Sequence, residues 1–503
     1  MNVLGLSWVH AISSPDHIGE FIYHPILIPT PEEEHVAELE PKISGTDGAA
    51  TAMEYDLIVL GSGGGAFAGA IRARDWSRRV LMVEHGTVGG TCVNVGCIPS
   101  KTLLVDSERS RREGRPSLAE AMARKAALVG DLRQAKYVEL IERYGIDVRH
   151  GRGRIFDPHT VEVDGEPVTA HAILIASGAR PAVPDIPGLA EAGYLTSTGA
   201  LELTAAPSRL AVLGANAVGL ELGQMLGNFG SHVSYIARRD IAPYSEPEVS
   251  ARLRAVLEED GHRVIAPAIT IEVVVEGAEK VLRGTVDGEP FEVRADEILV
   301  AAGRTPNTED LGSAAVGVAT DGQGAVVVDE RQRTNVSSIY AAGDVTTQPR
   351  YVYVAAAAGA AAASNALGLG EERLAFGALP RIIFTTPTIA QAGLTEAAAI
   401  AQGVVVDTTV LPLEAIPRAL VNGDTRGLFK LVAETGSGRL LGASVLAEGA
   451  GDVIHAAVLA IERGMTVGEL GSTWAPYLTM GEGLKLAAQT FSRDVAKLSC
   501  CAA

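Results

Sequence analysis

The chain of 503 residues carries 42 basic and 61 acidic residues, a formal charge of -19, which argues against nucleic acid and anionic membrane surfaces as partners. Two to four domains are expected at this length, and no apolar run is long enough to span a membrane. Residues 1–52 lack the basic start, apolar centre and small-residue cleavage site of a secretory leader, so a cytoplasmic protein without membrane insertion is expected.

The first stretch, 1–52, holds Pro15, Pro25, Pro29, Pro31 and the acidic run Glu32, Glu33, Glu34 without sustained periodicity. It reads as a poorly ordered extension. A strand is expected at Tyr55 to Leu60, running into a glycine turn and then a helix, YDLIVLGSGGGAFAGAIRA, with a second strand VLMVEH after it. Gly61, Gly63 and Ala66 hold the G-x-G-x-x-G/A positions, where small residues let the backbone approach a pyrophosphate at a helix N-terminus. Glu84 closes the second strand, where a carboxylate can accept hydrogen bonds from a ribose diol.

Next comes GGTCVNVGCIPSK, with Cys92 and Cys97 at C-x4-C spacing and Lys101 four residues further on. Two such cysteines are expected as neighbours on one helical turn, close enough for a disulfide or for clamping one ion, with a thiolate favoured by a helix N-terminus. Spacing alone leaves redox and metal-binding readings open. The chain has only these two cysteines and the pair Cys500 and Cys501, and closely spaced thiols in a reducing compartment are more often catalytic or metal-binding than structural.

A further strand enters a glycine turn at ILIASGARP, and the strand, turn, helix and strand plan then recurs as RLAVLGANAVGLELGQML and HVSYIARR. Two such units imply two dinucleotide cofactors. In the second, Gly214 and Gly219 keep the outer positions and Asn216 replaces the middle glycine. Asparagine tolerates unusual backbone angles, so the turn is expected to survive with tighter clearance. No acid follows the second strand of this unit; Arg238 and Arg239 stand there instead, and guanidinium groups suit a 2'-phosphate, which favours NADPH over NADH. ILVAAGRTPN and SIYAAGDV repeat the strand-to-glycine texture, YVAAAAGAAAASNAL reads as a buried helix, and an α+β module is expected from about Leu379. The fold class is therefore α/β, with two Rossmann-like dinucleotide-binding domains and a C-terminal α+β domain.

Through GSGGGAFA, GGTCVNVGCIPSK, ASGARP, AAGRTPN and YAAGDV the chain resembles the pyridine nucleotide disulfide oxidoreductases from Met53 to its end. The resemblance implies an FAD domain in two parts, 53–190 and 311–378, an NADPH domain at 191–310, and a dimerisation domain at 379–503 that builds a homodimer with active sites at the subunit interface. It implies FAD contacts from Gly90, Thr91, Ser177, Gly178 and Asp344 in addition to the first fingerprint, and an NADPH contact from Gly303. It also implies that Cys97 is the thiol against the flavin, Cys92 the exchange thiol, and Lys101 with Glu221 a pair beside the flavin ring.

Members of that family that reduce disulfides use a histidine, followed by proline and later glutamate, to protonate the leaving thiolate. The matching stretch here, WAPYLTMGEGLKLAAQTF, has no histidine and carries Tyr477 and Glu482 instead. A phenol with a pKa near 10 is a poor proton shuttle at neutral pH. Hg(II), by contrast, is soft, prefers two thiolates and moves by ligand exchange, and vicinal Cys500 and Cys501 are better suited to holding a metal than to forming a strained disulfide. The segments TRGLFKLVAETGSGRLLG and DVAKLSCCAA resemble the mercury-reducing members of the family. That likeness implies Hg(II) thiol complexes as substrate, passed from Cys500 and Cys501 of one subunit to Cys92 and Cys97 of the other, with Tyr194 and Tyr477 lining the inner metal site. An N-terminal GMTCxxC domain, found in many such enzymes, is absent, and residues 1–52 hold no cysteine. Two alternatives are a disulfide reductase of the same family with a tail dithiol, and a thiol protein that sequesters metal without catalysis.

Overall fold

Two parallel sheets, each built around a buried apolar strand, organise the computed structural model, which describes residues 53–494. The extension 1–52 and Cys500 and Cys501 lie outside the described residues. Tyr55–Leu60 is the central strand of the first sheet, with Val80–Glu84 on one side and Glu166–Ile175 on the other, both parallel to it. Asp147–His150 extends the sheet beyond Val80–Glu84, and Ile339–Ala341 pairs in parallel with the end of Glu166–Ile175. Near-continuous burial of Leu57, Ile58, Val59, Leu81 and Met82 is what a parallel sheet covered on both faces requires. The helix Gly64–Asp75 and the alanine-rich helix Val352–Ala366 lie against each other on one face, and their small side chains let the backbones approach closely.

In the second parallel sheet Arg209–Leu213 is flanked by His232–Ile236 and Glu297–Val300. Arg263–Ile265 completes it, and an antiparallel sheet of Ala268–Glu276, Glu279–Val286 and Glu289–Ala295 packs beside it through Leu282, Phe291 and Val293. A short antiparallel ladder, Ala179–Pro181 with Arg304–Pro306, joins the ASGARP and GRTPN turns. In doubly wound sheets, ligands bind beyond the carboxyl ends of the strands where neighbouring connections diverge. The glycine turns after Leu60 and Leu213 both stand at such points.

The C-terminal module is a five-stranded antiparallel sheet in the order Arg381–Ile383, Thr388–Gly393, Leu440–Ala447, Leu428–Glu434 and Val406–Pro412. The helix Ala450–Glu462 covers it with Val453, Ile454 and Ala457. Its sheet is tied to the second nucleotide unit by a buried cluster in which Lys430 meets Glu246 at 3.1 Å, Glu248 at 3.0 Å and Glu396 at 2.7 Å. Three carboxylates hold the Lys430 ammonium well above the usual lysine range against the burial that opposes its charge. Among the described residues no helix is long and apolar enough to cross a membrane.

Candidate active site

The first glycine turn is shaped for a phosphate. Gly63 caps the helix Gly64–Asp75 without any side-chain hydrogen bond, and no acid sits in that helix's first turn. Its leading N–H groups therefore have no internal anion to satisfy them. A Cβ on Gly90 would lie 2.6 Å from the Gly63 Cα, so the cysteine segment can close over the fingerprint only because position 90 is glycine. Glu84 is buried, accepting from Ser62 Oγ and from the Gly86 N–H, each at 2.6 Å. Each of its oxygens retains a lone pair for a ribose diol. These features fit FAD, and Gly61, Gly63, Ala66, Glu84, Gly90 and Thr91 are the residues that would hold it. Asp344, in the turn after Ile339–Ala341, lies 3.3 Å from the Arg304 guanidinium. Ser177 donates to the Asn307 carbonyl at 2.7 Å, and the Gly178 carbonyl accepts from the Asn307 N–H at 2.9 Å, so this pair anchors the GRTPN loop beside Gly61.

The second turn fits a second dinucleotide, for a different reason from the one expected. Asn216 caps the helix Ala217–Asn228 in extended geometry, φ -113° and ψ -167°. The middle position thus needs no unusual backbone angle, and the tolerance expected of asparagine is not called upon. Tight packing falls on Gly219, where a Cβ would sit 1.9 Å from the Gly214 carbonyl oxygen. Arg238 and Arg239 are exposed and form no ion pair among the described residues, the adjacent Asp240 being held by Arg254 at 2.5 Å. Gly303 stands at φ +123° with open space where a side chain would be.

The two cysteines do not share a helical turn. Cys92 lies in the short helix Gly90–Val95, and Cys97 is the first residue of the 17-residue helix Cys97–Glu113. Gly96, at φ -132° and ψ -112°, breaks the path between them, and a Cβ there would meet the Thr91 carbonyl at 2.8 Å. The break puts Cys97 where N–H groups favour its thiolate. Both thiols are free and half-buried. A hydrogen bond from Cys92 lowers the Cys97 thiol to about 7, and the Lys101 ammonium adds to the effect. The same hydrogen bond, together with burial, pushes the Cys92 thiol up. Below about pH 7 the Cys97 thiolate fraction falls tenfold per unit. Alkylation of the dithiol enzyme by iodoacetamide is therefore expected at Cys97 first, with a rate midpoint near pH 7; mass-mapped labelling that favours Cys92, or a midpoint above 8.5, would contradict this.

Lys101, one turn along the Cys97 helix, pairs with Glu221 at 2.7 Å. Glu221 is only 5% exposed, and its other oxygen accepts from the Phe384 N–H at 3.0 Å. The Lys101 ammonium also lies 4.5 Å from the centre of the Phe384 ring. The pair implied by the sequence is thus assembled, with a third member from the C-terminal module that the sequence did not reveal.

Tyr194 is half-buried and, like Ile186, Ala192 and Val286, packs against the core of the second unit. Tyr137 lies near enough to Cys92 and Cys97 for their charges to act on its phenol. A single π-helical turn, Gln134–Val138, carries it, its ring meets Phe67 edge-on at 4.7 Å, and a Cβ on Gly89 would lie 3.4 Å from it. Burial raises its phenol pKa, and the charges of Cys92 and Cys97 raise it further. QAKYVEL has no motif that marks this tyrosine. Tyr477 is 63% exposed, in the loop before the helix Glu482–Gln489. Glu482 is 6% exposed, its buried Oε2 has no hydrogen-bond partner among the described residues, and burial raises its carboxyl pKa.

A dithiol beside two dinucleotide cradles defines an oxidoreductase that moves electrons between a pyridine nucleotide and a thiol site. The comparisons agree: the description "Pyridine nucleotide-disulphide oxidoreductase" matches residues 55–359, and the dimerisation domain of the same name matches 379–488. The chain belongs to the pyridine nucleotide-disulphide oxidoreductase family, with FAD and NADPH as cofactors and a dimerisation domain at its C-terminal end. It is 49% identical over 468 residues to the mercuric reductase of Streptomyces lividans, a match covering 89% of this chain and 98% of that protein. The mercuric reductase of Staphylococcus aureus is 46% identical over 462 residues, covering 89% and 84%. Among solved structures, the HOCl-induced flavoprotein disulfide reductase RclA from Escherichia coli superposes with a TM-score of 0.80 at 29% identity, covering 86% and 99%. Its Cu(II) complex gives 0.79 at 29% identity, covering 85% and 98%.

Proposed function

We propose that the protein is a mercuric reductase that spends NADPH to convert thiol-bound Hg(II) to Hg(0). The observation that carries this reading is the Cys92 and Cys97 pair, with Cys97 a thiolate near neutrality, in a chain whose WAPYLTMGE segment offers no histidine to protonate a departing thiol. The balance is NADPH + Hg(SR)2 + H+ giving NADP+, Hg(0) and two RSH. FAD, when bound, supplies the two-electron relay between the nicotinamide and the thiol site.

Each protein group has a part in this. Cys97 attacks the incoming Hg(II) complex as a thiolate and displaces one small thiol. Cys92, its proton released as it ligates, displaces the second, leaving the ion between two sulfurs. Lys101 holds positive charge beside Cys97 and is itself fixed by Glu221. Tyr194 is read as lining the inner metal site, and Tyr137, whose phenol is kept neutral by burial, as a neighbour of the thiols. Reduction leaves Hg(0), which has no affinity for thiolate, so the pair is freed. Cys500 and Cys501 are read as the port that collects the metal and passes it to the partner subunit's pair, and Tyr477 as a residue lining that route; adjacency of the two thiols on the tail supports this. Active sites at a homodimer interface and a cytoplasmic setting complete the reading.

Arg238 and Arg239 are assigned to the 2'-phosphate of NADPH. The variant Arg238→Ala with Arg239→Ala is expected to raise KM for NADPH about 10- to 100-fold and leave that for NADH within about twofold, since the charge-assisted contacts of two exposed arginines to one phosphate are together worth roughly 1.5–3 kcal/mol. An unchanged cofactor preference in steady-state kinetics would exclude the assignment.

The likeness to RclA favours a second reading, reduction of a disulfide through the same dithiol. NADPH oxidation driven by Hg(II) with excess thiol, compared with oxidised glutathione, lipoamide and thioredoxin, separates the two. Mercuric reduction predicts turnover with Hg(II) and little with the disulfides; the reverse order would establish the second reading.

A further inference from the structure

Phe384 meets the Lys101 and Glu221 pair at two points, yet its side chain is 40% exposed and it sits in the connection between the strands Arg381–Ile383 and Thr388–Gly393. Its own burial does not fix it there. Two residues on, Thr386 is gripped by Gln224: the Gln224 Nε2 donates to the Thr386 carbonyl at 2.9 Å and its Oε1 accepts from the Thr386 N–H at 2.7 Å. Gln224 is 2% exposed and lies three residues after Glu221, on the same face of the helix Ala217–Asn228. Glu221 and Gln224 therefore act as a side-chain edge to which the extended segment 384–386 is hydrogen-bonded.

A buried amide costs free energy unless both its ends are satisfied, whereas an apolar side chain of similar size fills such a space without that demand. The residue type here thus specifies position. We propose that Gln224 is a positioning residue of the thiol site, holding Thr386 so that the Phe384 N–H and ring stay against Glu221 and Lys101. It rests on the reading of Lys101 and Glu221 as the charged pair serving Cys97, and it does not depend on which substrate the thiols take.

The test is hydrogen exchange at the Phe384 and Thr386 amides, followed by mass spectrometry in the FAD-loaded dimer, for Gln224→Ala and for Gln224→Met, which keeps the volume without donor or acceptor. Ser245→Ala is the control, since Ser245 bonds Gln391 at 3.4 Å across the same domain boundary without touching the pair. Exchange at Phe384 is expected to speed about five- to tenfold in both Gln224 variants and to stay unchanged in the control, as loss of roughly one or two net hydrogen bonds requires. The visible spectrum of the NADPH-reduced holoenzyme should change in the Gln224 variants only. Unchanged Phe384 exchange, equal acceleration in the Ser245 variant, or an unchanged spectrum would each overturn the proposal. Should Gln224→Ala not fold, Gln224→Met decides alone. None of these readouts uses Hg(II), so failure of the mercuric reading leaves them intact.

Discussion

Cys97→Ser should abolish Hg(II)-dependent NADPH oxidation, lowering kcat by about three orders of magnitude or more, the scale of loss when an enzyme's nucleophile is removed. Serine keeps the shape and the helix N-terminal position but offers a hard oxygen that is un-ionised at neutral pH, and soft Hg(II) has little affinity for it. Stability should change by less than about 1 kcal/mol, because a half-buried sulfur is replaced by a near-isosteric oxygen. Flavin content and NADPH affinity should be retained, so the loss is chemical. A Cys97→Ser enzyme that still turned over Hg(II) at a tenth of the wild-type rate would remove Cys97 from the mechanism.

The second large effect is expected from Lys101→Met. It strands the Glu221 carboxylate, which is nearly inaccessible and keeps only the Phe384 N–H as partner. Breaking a fully buried pair costs roughly 3–5 kcal/mol. The Lys101 side chain is 35% exposed, so about 2 kcal/mol is the better figure once solvent screening is counted. Cys97 also loses a neighbouring cation, and its alkylation midpoint should rise. The double variant Lys101→Met with Glu221→Gln should regain much of the stability without regaining activity, which denaturant titration and steady-state assay together would show. Equal stability in single and double variants would mean that the pair is not coupled as its geometry indicates.

These effects depend on a site that was only partly legible in the sequence. The strands Tyr55–Leu60 and Arg209–Leu213, the glycine turns after them and the buried alanine helix could be read because periodicity and glycine placement are local properties. The cysteine geometry could not. C-x4-C suggested neighbours on one helical turn, but residues five apart on an α-helix face different ways, and only the close approach of Gly90 to Gly63 and the break at Gly96 show why Cys97 must begin a helix of its own. Asn216 suggested an adaptable turn, but the helix cap there is plain extended backbone. Tyr137, Phe384 and Gln224 belong to no motif. Tyr137 is brought near the site by a π-turn, and Phe384 and Gln224 by pairing between modules some 160 residues apart in sequence, relations that no local pattern records.

The most direct measurement is the stoichiometry of Hg(0) released, trapped as vapour, to NADPH oxidised, with Hg(II) supplied in excess small thiol to the wild-type enzyme and to Cys97→Ser. A ratio of one Hg(0) per NADPH, absent in the variant, is the expected result. NADPH oxidation without Hg(0), or equal Hg(0) release from both proteins, would contradict reduction of the metal at the Cys92 and Cys97 pair.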